Sequence, residues 1–174
     1  MKRLILWAPL VVFIAFIGFA IFRLSVPEDH AITSKLVGQP LPAFVLPPAT
    51  PGKPGLSRAD LTGRPRLLNI FASWCVPCAA ESPQLLALKQ AGVEIDAIAI
   101  RDKPEDVAAF LQRFGDPYAR IGGDATSSVQ MALGSSGVPE SFVIDAQGII
   151  RHQHIGDIRE EHIPELLRQI EAAK

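Results

Sequence analysis

Arg66-Leu67-Leu68-Asn69-Ile70-Phe71-Ala72-Ser73-Trp74-Cys75-Val76-Pro77-Cys78 is the stretch from which the rest of the chain can be read. Arg66 to Ala72 is a near-continuous apolar run bounded by turn signals, the pattern of a strand buried on both faces. The segment from Cys75 to Gln90 has apolar residues at Leu85, Leu86 and Leu88, ends at Gly92 and reads as a helix. Pro83 inside it removes an amide donor and predicts a bend. Two residues separate the only two cysteines of the chain. That spacing lets a disulfide form across the first helical turn and leaves the upstream sulfur at the open N-terminal end. There the unpaired N–H groups and the helix dipole favour a thiolate, the species that attacks disulfides. Cys75 is therefore the candidate nucleophile and Cys78 its resolving partner. The alternatives are a structural bridge or half of a zinc site. So short a loop removes little unfolded-state entropy when closed, and a zinc site needs four ligands. No second Cys pair exists, and His30, His152, His154 and His162 lack finger-like spacing.

The 174 residues suffice for one domain and an appendage, and a formal net charge of −1 without a basic stripe argues against nucleic-acid binding. Leu4 to Phe22 carries no charged residue; at ~1.5 Å per residue it reaches about 28 Å, close to a bilayer's hydrocarbon thickness. Pro9 and Gly18 are tolerable in lipid, and Trp7 lies near one end, where aromatic anchors are common. A cleaved signal peptide would have a shorter apolar core and a small-residue cleavage site, whereas Ile21-Phe22-Arg23-Leu24 suits an anchor. Lys2 and Arg3 before the run, against Arg23 alone after it, leave the N-terminus cytoplasmic and the remainder outside. The expected organisation is an anchor over residues 1–23, a tether over 24–37 and one domain over 38–174. Beyond Arg23 the chain carries 14 basic and 18 acidic side chains, an ordinary soluble surface.

Going outward from the cysteines, Gly38 to Pro48 is punctuated by prolines and reads as extended or edge strand. Ala49 to Gly55 reads as loop and Ser57 to Leu61 as a helical turn. Val93 to Ile100 predicts a second buried strand, and Pro104 opens a helix through about Phe114. Tyr118 to Ile121 reads as a short strand followed by Gly122-Gly123-Asp124, and Ser127 to Leu133 as a short helix closed by Gly134. Ser141 to Ile144 and Ile149 to His154 predict a hairpin across Asp145-Ala146-Gln147-Gly148. Arg159 to the C-terminus predicts an amphipathic helix with Ile163, Leu166, Leu167 and Ile170 on one face. This order describes a mixed α/β sheet flanked by helices.

Trp74-Cys75-x-x-Cys78 after a buried strand, with Pro83 in the helix and Val138-Pro139 ahead of a strand, resembles the thioredoxin superfamily. Several blocks narrow the resemblance: Leu68-Asn69-Ile70-Phe71-Ala72-Ser73-Trp74-Cys75 with Glu81 downstream, Gly115-Asp116-Pro117-Tyr118, Gly137-Val138-Pro139-Glu140-Ser141-Phe142-Val143-Ile144-Asp145 and Gly148-Ile149-Ile150-Arg151. Together they look like the membrane-anchored thiol:disulfide interchange proteins of cytochrome c maturation (CcmG/DsbE type). The likeness runs from about Gly38 to the last helix. Where that family usually has Gly-Val-Tyr-Gly, this chain has Gly134-Ser135-Ser136-Gly137.

The resemblance implies a thioredoxin-like fold behind one transmembrane helix, and a periplasmic thiol:disulfide reductase that keeps apocytochrome c Cys-x-x-Cys-His thiols reduced. A membrane thiol:disulfide conduit would supply its electrons, and no cofactor or metal is implied. It also implies a cis Pro139 facing the sulfurs, with the extended Val138 backbone free to bond an incoming chain. Trp74, Val138, Pro139 and Glu140 are then the candidate substrate-binding residues, Glu140 as part of an acidic rim. Glu81, one turn after Cys78, is either a proton acceptor for that sulfur or a solvated glutamate near a helix N-terminus. Asp124 reads as surface charge, and His152 and His154 as solvent-side residues. The rival functions are an anchored reductase with another client and a copper-delivery protein; the latter would need a third ligand beside two thiolates.

Overall fold

The computed structural model describes residues 2–25 and 34–174, which fall into two compact units, the N-terminal helix and the domain after it. Helix α1, Lys2–Ser25, has 24 residues and contains Pro9. Its described side chains, at positions 7 and 9–19, are exposed. Among the described residues no helix is long and apolar enough to cross a membrane. The ends of the expected span, Leu4 to Phe22, and most of the expected tether lie outside the described side chains and residues.

In the domain, β1 (Val45–Leu46) and β2 (Leu56–Ser57) form a small antiparallel hairpin. The main sheet has the order β5-β4-β3-β6-β7, with strands β3 (Arg66–Phe71), β4 (Ile95–Ile100), β5 (Ile121–Asp124), β6 (Glu140–Ile144) and β7 (Ile150–Ile155). β3 is central, parallel to β4 and antiparallel to β6. Every residue of β3 and β4 is buried; since successive strand side chains point to opposite faces, both faces of the sheet are covered. The cover comes from α2 (Val76–Gln90), α3 (Pro104–Phe114), α4 (Ser128–Ala132) and α5 (Ile163–Ala172). α2 packs against α3 and α5. Phe71, Phe142, Leu67, Leu68, Ile70, Leu85 and Ile98 form the fully buried centre of the core.

The arrangement is the mixed α/β sheet expected from the element order, and the thioredoxin-like form implied by the resemblance. One strand is displaced from its expected place. β5 begins at Ile121 and runs through Gly122-Gly123-Asp124, whereas the expected strand spans Tyr118 to Ile121. The glycines are there because a neighbour lies against them. A Cβ at Gly122 would stand 2.8 Å from the Leu46 Cβ and 3.0 Å from that of Leu56, and the Gly123 N–H donates to the Pro47 carbonyl at 2.8 Å. The proline-rich Gly38 to Pro48 segment thus finishes against the outer edge of β5. α2 runs unbroken through Pro83. The C-terminal amphipathic segment opens with a 3₁₀ turn, Glu160–His162, before α5.

Candidate redox-active site

Cys75 is the N-cap of α2, and Pro77 stands in the first turn, where its missing donor costs nothing. The extended backbone of Cys75 (φ −87°, ψ 110°) turns its sulfur back over the helix end, where it accepts the Cys78 N–H at 3.2 Å. The two cysteines form a disulfide with a Cα–Cα distance of 5.3 Å. Cys75 is 5% exposed and Cys78 2%, whereas the flanking Trp74 and Val76 are 57% and 79% exposed. An apolar rim therefore surrounds a sulfur pair that shows little surface of its own.

The loop carrying Trp74 is fixed from the far end of β4. The Asp102 carboxylate accepts the Ser73 N–H and hydroxyl, each at 2.6 Å. The Trp74 indole donates to the Arg101 carbonyl at 3.3 Å. Among the described residues, Arg101 (φ 46°) and Ser127 (φ 59°) are the non-glycine residues with positive φ, and they bond each other, Nε to Oγ at 2.9 Å.

Strand register sets the place of Pro139. Ile70 of β3 lies opposite Glu140 of β6, so the residue before β6 falls at the end of β3 that leads into Cys75. The Val138-Pro139 bond is cis, and the Pro139 carbonyl accepts the Gly156 N–H at 3.0 Å. Among the described residues the Val138 backbone has no hydrogen-bond partner.

Two acids stand elsewhere than the sequence suggested, and the burial of a third decides between its two readings. Glu140 is 1% exposed. Its carboxylate is turned inward to accept the Ser136 N–H and hydroxyl at 2.9 and 2.6 Å and the Gln153 amide at 3.1 Å. It shapes the Ser135-Ser136 loop instead of charging a rim, and it supplies by hydrogen bonding the rigidity that this loop's small side chains lack. Asp124 is 2% exposed, not a surface charge. It caps α4, accepting the N–H groups of Ser128, Val129 and Gln130, each at 2.9 Å.

Glu81 is 1% exposed, which removes the solvated reading. Its carboxylate accepts the Asn69 amide at 3.0 Å and the Ile158 N–H at 2.9 Å. Burial pushes its pKa up to about 7, and those two donors offset only part of the effect. Asn69 also bonds Ser141 Oγ at 3.0 Å and accepts the Tyr118 hydroxyl at 2.8 Å. Burial first, and then the nearby Glu81, hold the Tyr118 phenol well above its ordinary range.

Asn69, Tyr118 and Ser141 escaped the sequence reading as site residues; a lone polar residue inside the apolar run of β3 was the available signal. His152 and His154 are half-buried, and burial lowers the pKa of both. Among the described residues no group of three His, Cys, Asp or Glu side chains is placed to hold a metal ion. Chemically, the arrangement offers a disulfide at a helix N-terminus, exposed apolar side chains beside it, a Val138 backbone without a partner among the described residues and a carboxyl one turn from Cys78 whose pKa burial pushes up to about 7.

The Redoxin family matches residues 36–170. The thiol:disulfide interchange protein HelX of Rhodobacter capsulatus is 36% identical over 164 residues, covering 94% of this chain and 93% of the relative. The thiol:disulfide interchange protein DsbE of Pseudomonas aeruginosa is 38% identical over 156 residues, covering 90% and 86%. Among solved structures, a thiol:disulfide interchange protein of the thioredoxin family from Chlorobium tepidum aligns with a TM-score of 0.62 at 26% identity, covering 81% of this chain and 98% of that one.

Proposed function

Because this chain belongs to the Redoxin family and is a thiol:disulfide oxidoreductase of thioredoxin-like fold, we propose that it serves cytochrome c maturation as a membrane-tethered periplasmic reductase of apocytochrome c. The observation that carries the proposal is the Cys75–Cys78 disulfide at the cap of α2, in a chain that shares more than a third of its residues with HelX and DsbE. An oxidising periplasm joins the two cysteines of a Cys-x-x-Cys-His site, and haem bonds covalently only to free thiols. Cys75, as thiolate, attacks one sulfur of that disulfide; a Cys75–client disulfide forms and the other client sulfur leaves as a thiolate. Cys78 passes its proton to Glu81 and attacks the Cys75 sulfur, expelling the second client thiolate and closing the disulfide. The client gains two electrons as two thiolates; one takes the proton held by Glu81 and the other takes one from water, and the oxidised pair awaits reduction by a membrane thiol:disulfide conduit.

Trp74, Val138 and Pro139 hold the client: its chain bonds the Val138 backbone as an added strand, alongside the apolar surface of Trp74. The proposed organisation is an anchor over residues 1–23 with a cytoplasmic N-terminus, a tether over 24–37 and the catalytic domain over 38–174. Deleting the gene in a strain with no second such reductase abolishes haem-stained c-type cytochromes. A small added thiol or the wild-type protein restores them, and Cys75→Ser does not. Normal cytochrome c levels in the deletion strain overturn the client assignment.

A further inference from the structure

We propose that His154 is a positioning residue for Glu81, acting through the peptide bond between Asp157 and Ile158. His154 Nε2 lies 3.3 Å from the Asp157 carbonyl oxygen. A carbonyl carries no proton, so Nε2 is the donor. The other side of that peptide unit is the Ile158 N–H, which donates to Glu81 Oε2 at 2.9 Å. Resonance ties the two ends of a peptide together: a donor on the oxygen makes the N–H more positive and a better partner for a carboxylate. The same turn also meets the other half of the site, because the Gly156 N–H donates to the Pro139 carbonyl at 3.0 Å. One imidazole thus fixes a turn that touches both the buried acid and the cis proline.

Ile158 and Glu81 are each 1% exposed, so water does not compete for this bond as it would at the surface. The imidazole is held from several elements. The His162 ring lies against it at 4.5 Å between centroids, with His162 Nδ1 accepting the Arg159 N–H at 3.0 Å and Nε2 3.8 Å from Glu161. The Asp157 carboxylate takes Arg159 Nε at 3.1 Å. His152 lies two residues earlier on β7, with Glu165 of α5 near enough to act on it.

The inference rests on Glu81 taking the Cys78 proton, and the experiment separates the two. The full chain is trapped as a mixed disulfide between Cys75 and glutathione, and release of glutathione by Cys78 is followed against pH. Wild type shows a step in rate near the Glu81 midpoint of about 7, and Glu81→Gln lacks it. His154→Phe keeps the ring packing on His162 but donates nothing, and it moves the step upward by about half a pH unit. His154→Gln, which can still donate to the Asp157 carbonyl, leaves the step near its wild-type position. In the Glu81→Gln background, His154→Phe has no further effect. A wild-type step in His154→Phe, with the step gone in Glu81→Gln, overturns the inference alone. A step that survives Glu81→Gln overturns the Glu81 reading and this inference with it. Should His154→Phe not fold, the infrared carboxyl band of Glu81, titrated in wild type and in His154→Gln and His154→Asn, gives the same midpoint without turnover. An upward shift in His154→Asn alone supports the inference, because only the longer amide reaches the carbonyl, and equal midpoints in all three overturn it.

Discussion

Glu81→Gln perturbs stability with a sign that ordinary carboxylates do not show. Burial holds the Glu81 carboxyl at about 7 against an ordinary 4.5. A carboxyl whose folded pKa lies above its unfolded one binds its proton more tightly in the folded state. Its stabilising contribution is therefore complete below 4.5, drains away as pH rises and is gone above about 7. At roughly 1.36 kcal/mol per unit, the interval from 4.5 to about 7 amounts to about 3 kcal/mol. That is a large fraction of the roughly 5–15 kcal/mol holding a typical domain together. Glutamine carries no such liability. Its oxygen still accepts the Ile158 N–H, and its amide can face Asn69 if that side chain rotates and the Tyr118 hydroxyl turns with it. The assay is denaturant unfolding of the oxidised full-length chain from about pH 4.5 to 8.5, with the disulfide intact so that no thiol titrates. His152 and His154 are held low, chiefly by burial, and their contribution runs the opposite way, being lost as pH falls. Both proteins share it, so it cancels in the difference. The expected result is a variant that gains about 3 kcal/mol on wild type between the two ends of the range. Parallel curves would refute the argument and place an ionised, adequately solvated carboxylate in the folded protein.

Asp124→Ala leaves three helix N–H groups without their acceptor and is expected to cost about 2 kcal/mol in unfolding free energy. A loss under about 0.5 kcal/mol would mean that water replaces the cap. In the reduced protein, Cys75 should alkylate first near neutral pH, since the Cys78 N–H points at its sulfur and stabilises the thiolate. Mass mapping that finds Cys78 labelled first would reverse the roles of nucleophile and resolving thiol.

How far the fold was legible depended on whether the deciding interaction was local. β3, β4, α2, α3 and the β6–β7 hairpin carry their own signals: unbroken apolar runs, Pro at first helical positions, and Gly or Asp-x-x-Gly at the ends. They fall within a residue or two of expectation. β2, only Leu56–Ser57, is too short to have a period. β5 was misplaced because Gly122 and Gly123 punctuate a sequence identically whether they turn the chain or let Leu46, Leu56 and Ala49 press against a strand. The close approach comes from a hairpin some seventy positions upstream, which no local window contains.

The site divides along the same line. The Cys75-x-x-Cys78 pair is read from adjacent residues, because a helix cap is a local device; the roles of Trp74 and a cis Pro139 came from the family resemblance. The environments of Glu81 and Glu140 could not be read from adjacent residues, since each takes a donor from a distant element; Asp124 is held by amides four to six residues on, a local cap. Glu81 takes its backbone donor from Ile158, 77 residues away; Glu140 is held by Gln153 across a strand pair. Of the three, Asp124 and Glu140 hold a helix end or a loop in place. Glu81 differs: it is buried among groups that leave its proton nearly balanced at neutral pH, a placement that lowers stability above pH 7. A merely structural acceptor at that point would be better served by an amide, which satisfies the same donors without the cost of a buried charge. The carboxyl's advantage over glutamine there is its ability to take up and release a proton, one helical turn from Cys78, the thiol that loses one in the proposed reaction.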